Sequence, residues 1–178
     1  MTRLYVGGVG GCGKTAVCRL LSSTLGVKHI TGSEVMMRTA GVKSRDDLEN
    51  LPEEIKARLR DTAYEEIYQQ NTSLLVEGHF YLTETDANYL TSCVVIETDP
   101  EQLRLFRLRD STRKRSTDKD AIVEEIAAFE GRVASFSKSY RLPICRIKNQ
   151  GTLDELARGL EALYHLFKDP EIHREREG

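Results

Sequence analysis

Apolar residues fall along the chain in two alternating rhythms. Short unbroken runs, Leu4-Tyr5-Val6, Leu74-Leu75-Val76, Cys93-Val94-Val95-Ile96 and the segment 144–147, have the character of strands buried on both faces of a parallel sheet, and 27–30 predicts one more. Between them, apolar side chains recur every three or four residues. Ala16, Val17, Leu20 and Leu21 follow the first run, and Ile55, Leu59, Ala63 and Ile67 mark a long polar helix with Pro52 just inside its start and its end near Gln70. Gly32-Ser33 with Glu34 opens a short helix bearing Met36, Met37 and Arg38, and Pro100 opens another through Leu103, Phe106 and Leu108. Helices over 121–140 and 153–167 complete the pattern. Strand and helix in alternation predict a three-layer α/β/α sandwich around a parallel sheet.

A chain of 178 residues is the size of one domain, expected here over 1–167, with 168–178 a charged, proline-containing tail expected to be disordered. The 26 basic and 28 acidic residues leave a formal charge of -2, so no global field attracts nucleic acid or an anionic membrane, and neither is expected as a partner. Any anion-binding surface must be local. Cys12, Cys18, Cys93 and Cys145 form no close pair, which argues against a disulfide framework or a zinc site. With no basic-then-apolar leader and no apolar run near the ~20 residues that span a bilayer, a cytoplasmic location is expected.

Local chemistry is concentrated after the first strand. Gly8-Val9-Gly10-Gly11-Cys12-Gly13-Lys14-Thr15 fits G-x-x-x-x-G-K-[ST] at every fixed position, between a strand and a helix. Its glycines let successive backbone N–H groups turn inward around phosphate, and the helix that begins near Lys14 adds its positive end. Lys14 is expected to reach the β- and γ-phosphates of ATP, with Ala16 in the first turn beside it, while the Thr15 hydroxyl suits magnesium. Cys12 is either a small filler or a thiol activated by the helix end.

Glu77 follows the Leu74-Leu75-Val76 strand, where ligands of open α/β sheets bind, and is a second candidate for magnesium or its waters. His79 either orients a phosphate or water or is a hydrogen-bonded structural residue. Arg113 and Arg115, in a cationic segment, are candidates to neutralise charge on a migrating phosphoryl group. Arg104 and Arg107 lie on the amphipathic helix before it, and a surface role is expected for both. Arg38 and Arg45 are candidates to anchor a second, phosphate-bearing substrate.

With these motifs in place, the chain resembles the nucleoside monophosphate kinases, and the archaeal-type adenylate kinases most of all. The resemblance runs over nearly the whole chain. It includes the phosphate loop, Gly32-Ser33-Glu34-Val35-Met36, Arg45-Asp46-Asp47-Leu48-Glu49-Asn50-Leu51, Val76-Glu77-Gly78-His79, the short arginine-rich lid at about 109–120, Arg132, and Ile147-Lys148-Asn149-Gln150. It implies transfer of the ATP γ-phosphoryl group to AMP with magnesium, Arg113, Arg115 and Arg132 closing over the donor. Arg38 or Arg45, with Ser33 and His79, would hold the acceptor, and Asn149 and Gln150 would border the adenine. Ser33 replaces the family's frequent Asp, Arg38 lies two residues late, and Glu77 stands for the more usual Asp. An ATPase or nucleotide-dependent switch, and a kinase of another small metabolite, are the other readings of the same loop.

Overall fold

The computed structural model describes residues 1–110, 113, 115–149, 151, 152 and 159. The closing helix expected at 153–167, Gln150 and the tail lie outside the described residues, as do three positions of the expected lid. Five strands, β1 (Arg3–Gly7), β2 (Lys28–Thr31), β3 (Leu74–Gly78), β4 (Ser92–Glu97) and β5 (Ile144–Lys148), pair in parallel in the order β2-β3-β1-β4-β5. Helices α1 (Lys14–Leu25), α2 (Gly32–Ala40), α3 (Arg45–Glu49), α4 (Glu53–Tyr68), α5 (Glu84–Tyr89), α6 (Pro100–Arg109) and α7 (Lys119–Ser139) connect them. The predicted α/β architecture is present.

Parallel pairing explains why the strand runs are apolar throughout. Covered on both faces, Leu4, Val6, Leu75, Val94 and Val95 are all 0% exposed. The register brings Gly7 opposite Gly78 and Val95, and Thr31 opposite Glu77, so the carboxyl ends of four strands meet at one edge of the sheet. α1 buries Val17, Cys18 and Leu21 and stops at Gly26, whose φ of 65° is the left-handed cap that glycine favours. α4 buries Ala63, Tyr64, Ile67 and Tyr68, two pairs four residues apart on one face.

Two short helices have no counterpart in the apolar periodicity. α3 and α5 are too brief to repeat a 3.6-residue pattern, and their signal is chemical instead: the Ser44/Asp47 and Thr83/Asp86 capping boxes start them. Asp86 is buried and accepts from the Tyr68 hydroxyl at 2.6 Å and from Arg60 at 2.9 Å, which fixes α5 against α4. Pro52 proves to be the residue that caps α4 rather than its first turn.

Candidate active site

The turn from β1 into α1 is built from backbone that only glycine enters easily. Gly11 and Gly13 have φ of 91° and 90°, and a Cβ on Gly13 would lie 2.5 Å from the Asn149 side-chain nitrogen. That nitrogen donates to the Cys12 carbonyl at 2.9 Å, and the Asn149 backbone N–H donates to the Glu97 carbonyl at 2.8 Å. Asn149 thus ties the phosphate loop to the ends of β4 and β5. Cys12 is fully buried, its Sγ packed where a Cβ on Gly8 would stand, and burial pushes its thiol pKa up despite the nearby Lys14. The small-filler reading accounts for it.

Lys14 is buried and arches back over the loop, its ammonium donating to the carbonyls of Gly8 and Val9 at 2.7 and 2.8 Å. Thr15 donates its hydroxyl to Glu77 Oε1 at 2.9 Å, while the other carboxylate oxygen lies 3.1 Å from His29 Nε2. Burial would raise the Glu77 pKa, but the hydrogen bonds from His29 and Thr15, together with the charge of Lys14, outweigh it and hold the carboxyl below its usual value. Glu77 is therefore ionised. A hydroxyl and a carboxylate side by side are the hard oxygen donors magnesium selects, so the expected pair fits that ion. His29 was not singled out by the sequence; its only signal is its position in β2, opposite Leu75 and two residues before the partner of Glu77.

One expectation is overturned. Arg107 is 5% exposed and is not a surface residue. Its guanidinium donates twice to the Gly10 carbonyl, at 3.0 and 2.8 Å, and to Glu125 of α7 at 2.6 Å. The second oxygen of Glu125 accepts the Gly10 N–H at 3.2 Å, so both polar groups of Gly10 are engaged. The spacing held the signal: Arg107 stands one turn beyond Leu103, the fully buried face of α6. Arg104 is partly exposed and pairs with Glu101, as a surface residue should.

Arg115 pairs with Asp110 at 3.0 Å and lies over the loop, where side chains added to Gly10 or Gly11 would meet its guanidinium. Burial lowers the Arg115 pKa, and Arg113, Arg107 and Arg45 lower it further; Arg45 is likewise lowered by burial and then by Arg113. Mutual repulsion of this kind marks cations that lie near one another. Beside Lys14 is a cavity of about 580 Å³, with Ser33, Arg45, Arg60, Tyr64 and His79 in its walls. Crowding by protein, then the charges of Lys14, Arg115 and Arg45, bring the His79 pKa down to about 3, with Glu77 opposing, so the ring is neutral at pH 7.

The structure thus brings Ser33, Arg45 and His79 together with Lys14, Thr15 and Glu77. It does not bring Arg38, which is 63% exposed and pairs with Glu66. Arg132 lies in an adjoining cavity, its guanidinium 4.4 Å from the Tyr81 ring centre. Ala16 is exposed in the first turn of α1. No helix among the described residues is long and apolar enough to cross a membrane.

A strand, a glycine loop that ends in Lys-Thr and a helix, set in a parallel sheet, define the P-loop nucleotide-binding class. The profile of the AAA domain family matches residues 7–124, and the chain belongs to that family. An adenylate kinase of Thermoplasma acidophilum is 27% identical over 157 residues, covering 79% of this chain and 83% of that one. The resemblance to the nucleoside monophosphate kinases is therefore borne out. Among solved structures, shikimate kinase from Bacteroides thetaiotaomicron superposes with a TM-score of 0.72 at 16% identity, over 94% of this chain and 98% of that one. Shikimate kinase from Acinetobacter baumannii in complex with shikimate gives 0.68 at 17%, over 95% and 94%. At such identities these structures speak for the fold alone, and the comparisons together support phosphotransfer of the kinase type.

Proposed function

We propose that the protein is a nucleoside monophosphate kinase that transfers the γ-phosphoryl group of ATP to a nucleoside monophosphate, with AMP the favoured acceptor. The observation that carries this reading is the shared cavity: Arg45 and Lys14 both line a space of about 580 Å³, and Arg113 and Arg115 are near enough to Arg45 for their charges to act on one another. A switch or ATPase has no use for a second cationic pocket opposite the phosphate loop. An acceptor that carries its own phosphate does.

In this reading the loop amides and Lys14 hold the ATP phosphates, and Arg113 and Arg115 neutralise charge that spreads over the transferring group. Arg45 holds the acceptor phosphate in line. Thr15 and Glu77 would hold magnesium, which when bound to ATP draws charge from the phosphate oxygens. No general base is required, because an acceptor phosphate already presents an ionised oxygen at neutral pH. His79, neutral in the cavity wall, supplies a hydrogen bond rather than a charge.

ADP formation from ATP with AMP, CMP, UMP, GMP, shikimate or no acceptor tests the proposal. Turnover with a nucleoside monophosphate is expected; turnover with shikimate alone, or with no acceptor at an equal rate, would reject it. Within that assay Arg45→Ala should raise the KM for the monophosphate by about tenfold to a hundredfold, the worth of a charge-assisted hydrogen bond, with a smaller change for ATP. Arg38→Ala, on the exposed face, should shift either KM by no more than about twofold. Equal effects of the two substitutions would remove Arg45 from the acceptor site.

A further inference from the structure

Behind the phosphate loop, three elements converge on donors of which the proposed phosphoryl transfer uses only Glu77. Cys18, one turn along α1 from Lys14, is fully buried; His29 comes from β2 and Glu77 from β3. The Cys18 sulfur, a ring nitrogen of His29 and a carboxylate oxygen of Glu77 all lie within 4.8 Å of one another. Among the described residues no other group of three or more His, Cys, Asp or Glu side chains is arranged in this way. Cysteine spacing alone gave no hint of it, since the partners of Cys18 are 11 and 59 residues away and only parallel pairing of β2 with β3 brings them together.

We propose that Cys18, His29 and Glu77 form a binding site for a thiophilic divalent cation, zinc by the chemistry of its donors. Thiolate, imidazole and carboxylate are the ligands from which zinc sites are assembled, whereas magnesium takes oxygen alone. A tetrahedral zinc ion with bonds of about 2.0–2.3 Å sets its ligand atoms about 3.3–3.6 Å apart, so the trio closes on the ion with shifts of roughly 1 Å. Charge also balances. Binding replaces the Cys18 S–H bond with a sulfur–metal bond and releases that proton to solvent; among the ligands themselves, thiolate and carboxylate then cancel the dication. Neutral imidazole adds a lone pair and keeps its proton on the other ring nitrogen, and water completes the fourth position.

Access and separation from magnesium follow from the same side chains. Cys18 and Glu77 are enclosed, but His29 is 17% exposed and leaves a path from solvent. Glu77 presents two oxygens to two neighbours, one to Thr15 and the other to His29. The Thr15 side offers only oxygen; the His29 side adds nitrogen and sulfur. This site does not depend on which acceptor the protein phosphorylates.

Cobalt(II), a spectroscopic stand-in for zinc, tests the proposal on the full-length, metal-stripped chain. One cobalt per chain should bind and give a thiolate-to-cobalt charge-transfer band in the near ultraviolet with tetrahedral bands in the visible, all bleached by stoichiometric zinc. Magnesium at millimolar concentration should leave them unchanged. Cys18→Ser should abolish the charge-transfer band, and His29→Gln should weaken zinc binding by about tenfold or more. Cys93→Ser removes a thiol that is equally buried but lies outside the trio, and should keep the band. Absence of the band in the wild type, its survival in Cys18→Ser, its loss in Cys93→Ser, or displacement of cobalt by magnesium would each overturn the site.

Discussion

Lys14→Ala is expected to lower ADP formation by at least about a hundredfold, the scale seen when a single charge-stabilising donor is taken from a transition state. The ammonium sits at the cavity edge, held at 2.7 and 2.8 Å from the carbonyls of Gly8 and Val9. It is therefore already in place when phosphate arrives, and little reorganisation is needed to meet it. Two hydrogen bonds to loop carbonyls are lost in the variant. Its melting temperature should fall by no more than about 8 °C, since two hydrogen bonds worth about 1 kcal/mol each amount to about 2 kcal/mol. Steady-state assays and a thermal melt on one preparation decide the matter. A variant with wild-type turnover would remove the lysine from the chemistry, and one that fails to fold would make it structural.

Gly78→Ala is expected to be among the most destabilising single changes available, about 3 kcal/mol or more, or roughly 6–12 °C in melting temperature. A Cβ at this end of β3 would lie 2.1 Å from the Tyr5 hydroxyl and 2.8 Å from that of Tyr64. Neither ring has room to retreat, for Tyr5 is 1% exposed and Tyr64 7%. The Tyr5 hydroxyl also accepts the Phe80 N–H at 3.0 Å, and Phe80 holds a φ of 62°, a left-handed conformation rare for a non-glycine residue. Pushing Tyr5 aside would thus release a strained backbone as well as crowd the core. Because Glu77 and His79 flank this glycine, activity should fall with stability. A melt within 2 °C of the wild type, about 1 kcal/mol at this size, would show that the tyrosines give way cheaply.

The fold was legible because a parallel sheet writes itself as continuous apolar runs, and those runs, with Pro100 and the long α4 pattern, placed the main elements. The phosphate loop was legible because its motif joins glycines, lysine and threonine at fixed spacing. What escaped depended on tertiary direction. Arg107 and Arg115 stand in one basic stretch, yet only position relative to Leu103 shows that Arg107 points inward at Gly10. Arg38 and Arg45 looked alike as acceptor anchors, and only the turn of α2 sends Arg38 outward to Glu66 while α3, started by its Ser44 capping box, sets Arg45 in the cavity wall. His29 became visible only through the register that sets β2 beside Glu77.

The grip of Arg107 and Glu125 on a single residue, Gly10, bears on how the arginine segment is held. Arg107 belongs to the last turn of α6 and Glu125 to the second turn of α7, so the chain leaves and returns at points both pinned to Gly10. Arg113 and Arg115 stand between these two anchors, so on the proposed function they are tethered from both sides to the phosphate loop. On a tether this short, these arginines would in that reading meet the nucleotide at an effective concentration in the millimolar range or above, without a separate domain having to dock. Tether length then becomes a variable that natural variation can use: each doubling costs only about 0.6 kcal/mol of closure entropy but dilutes the cations over a larger volume.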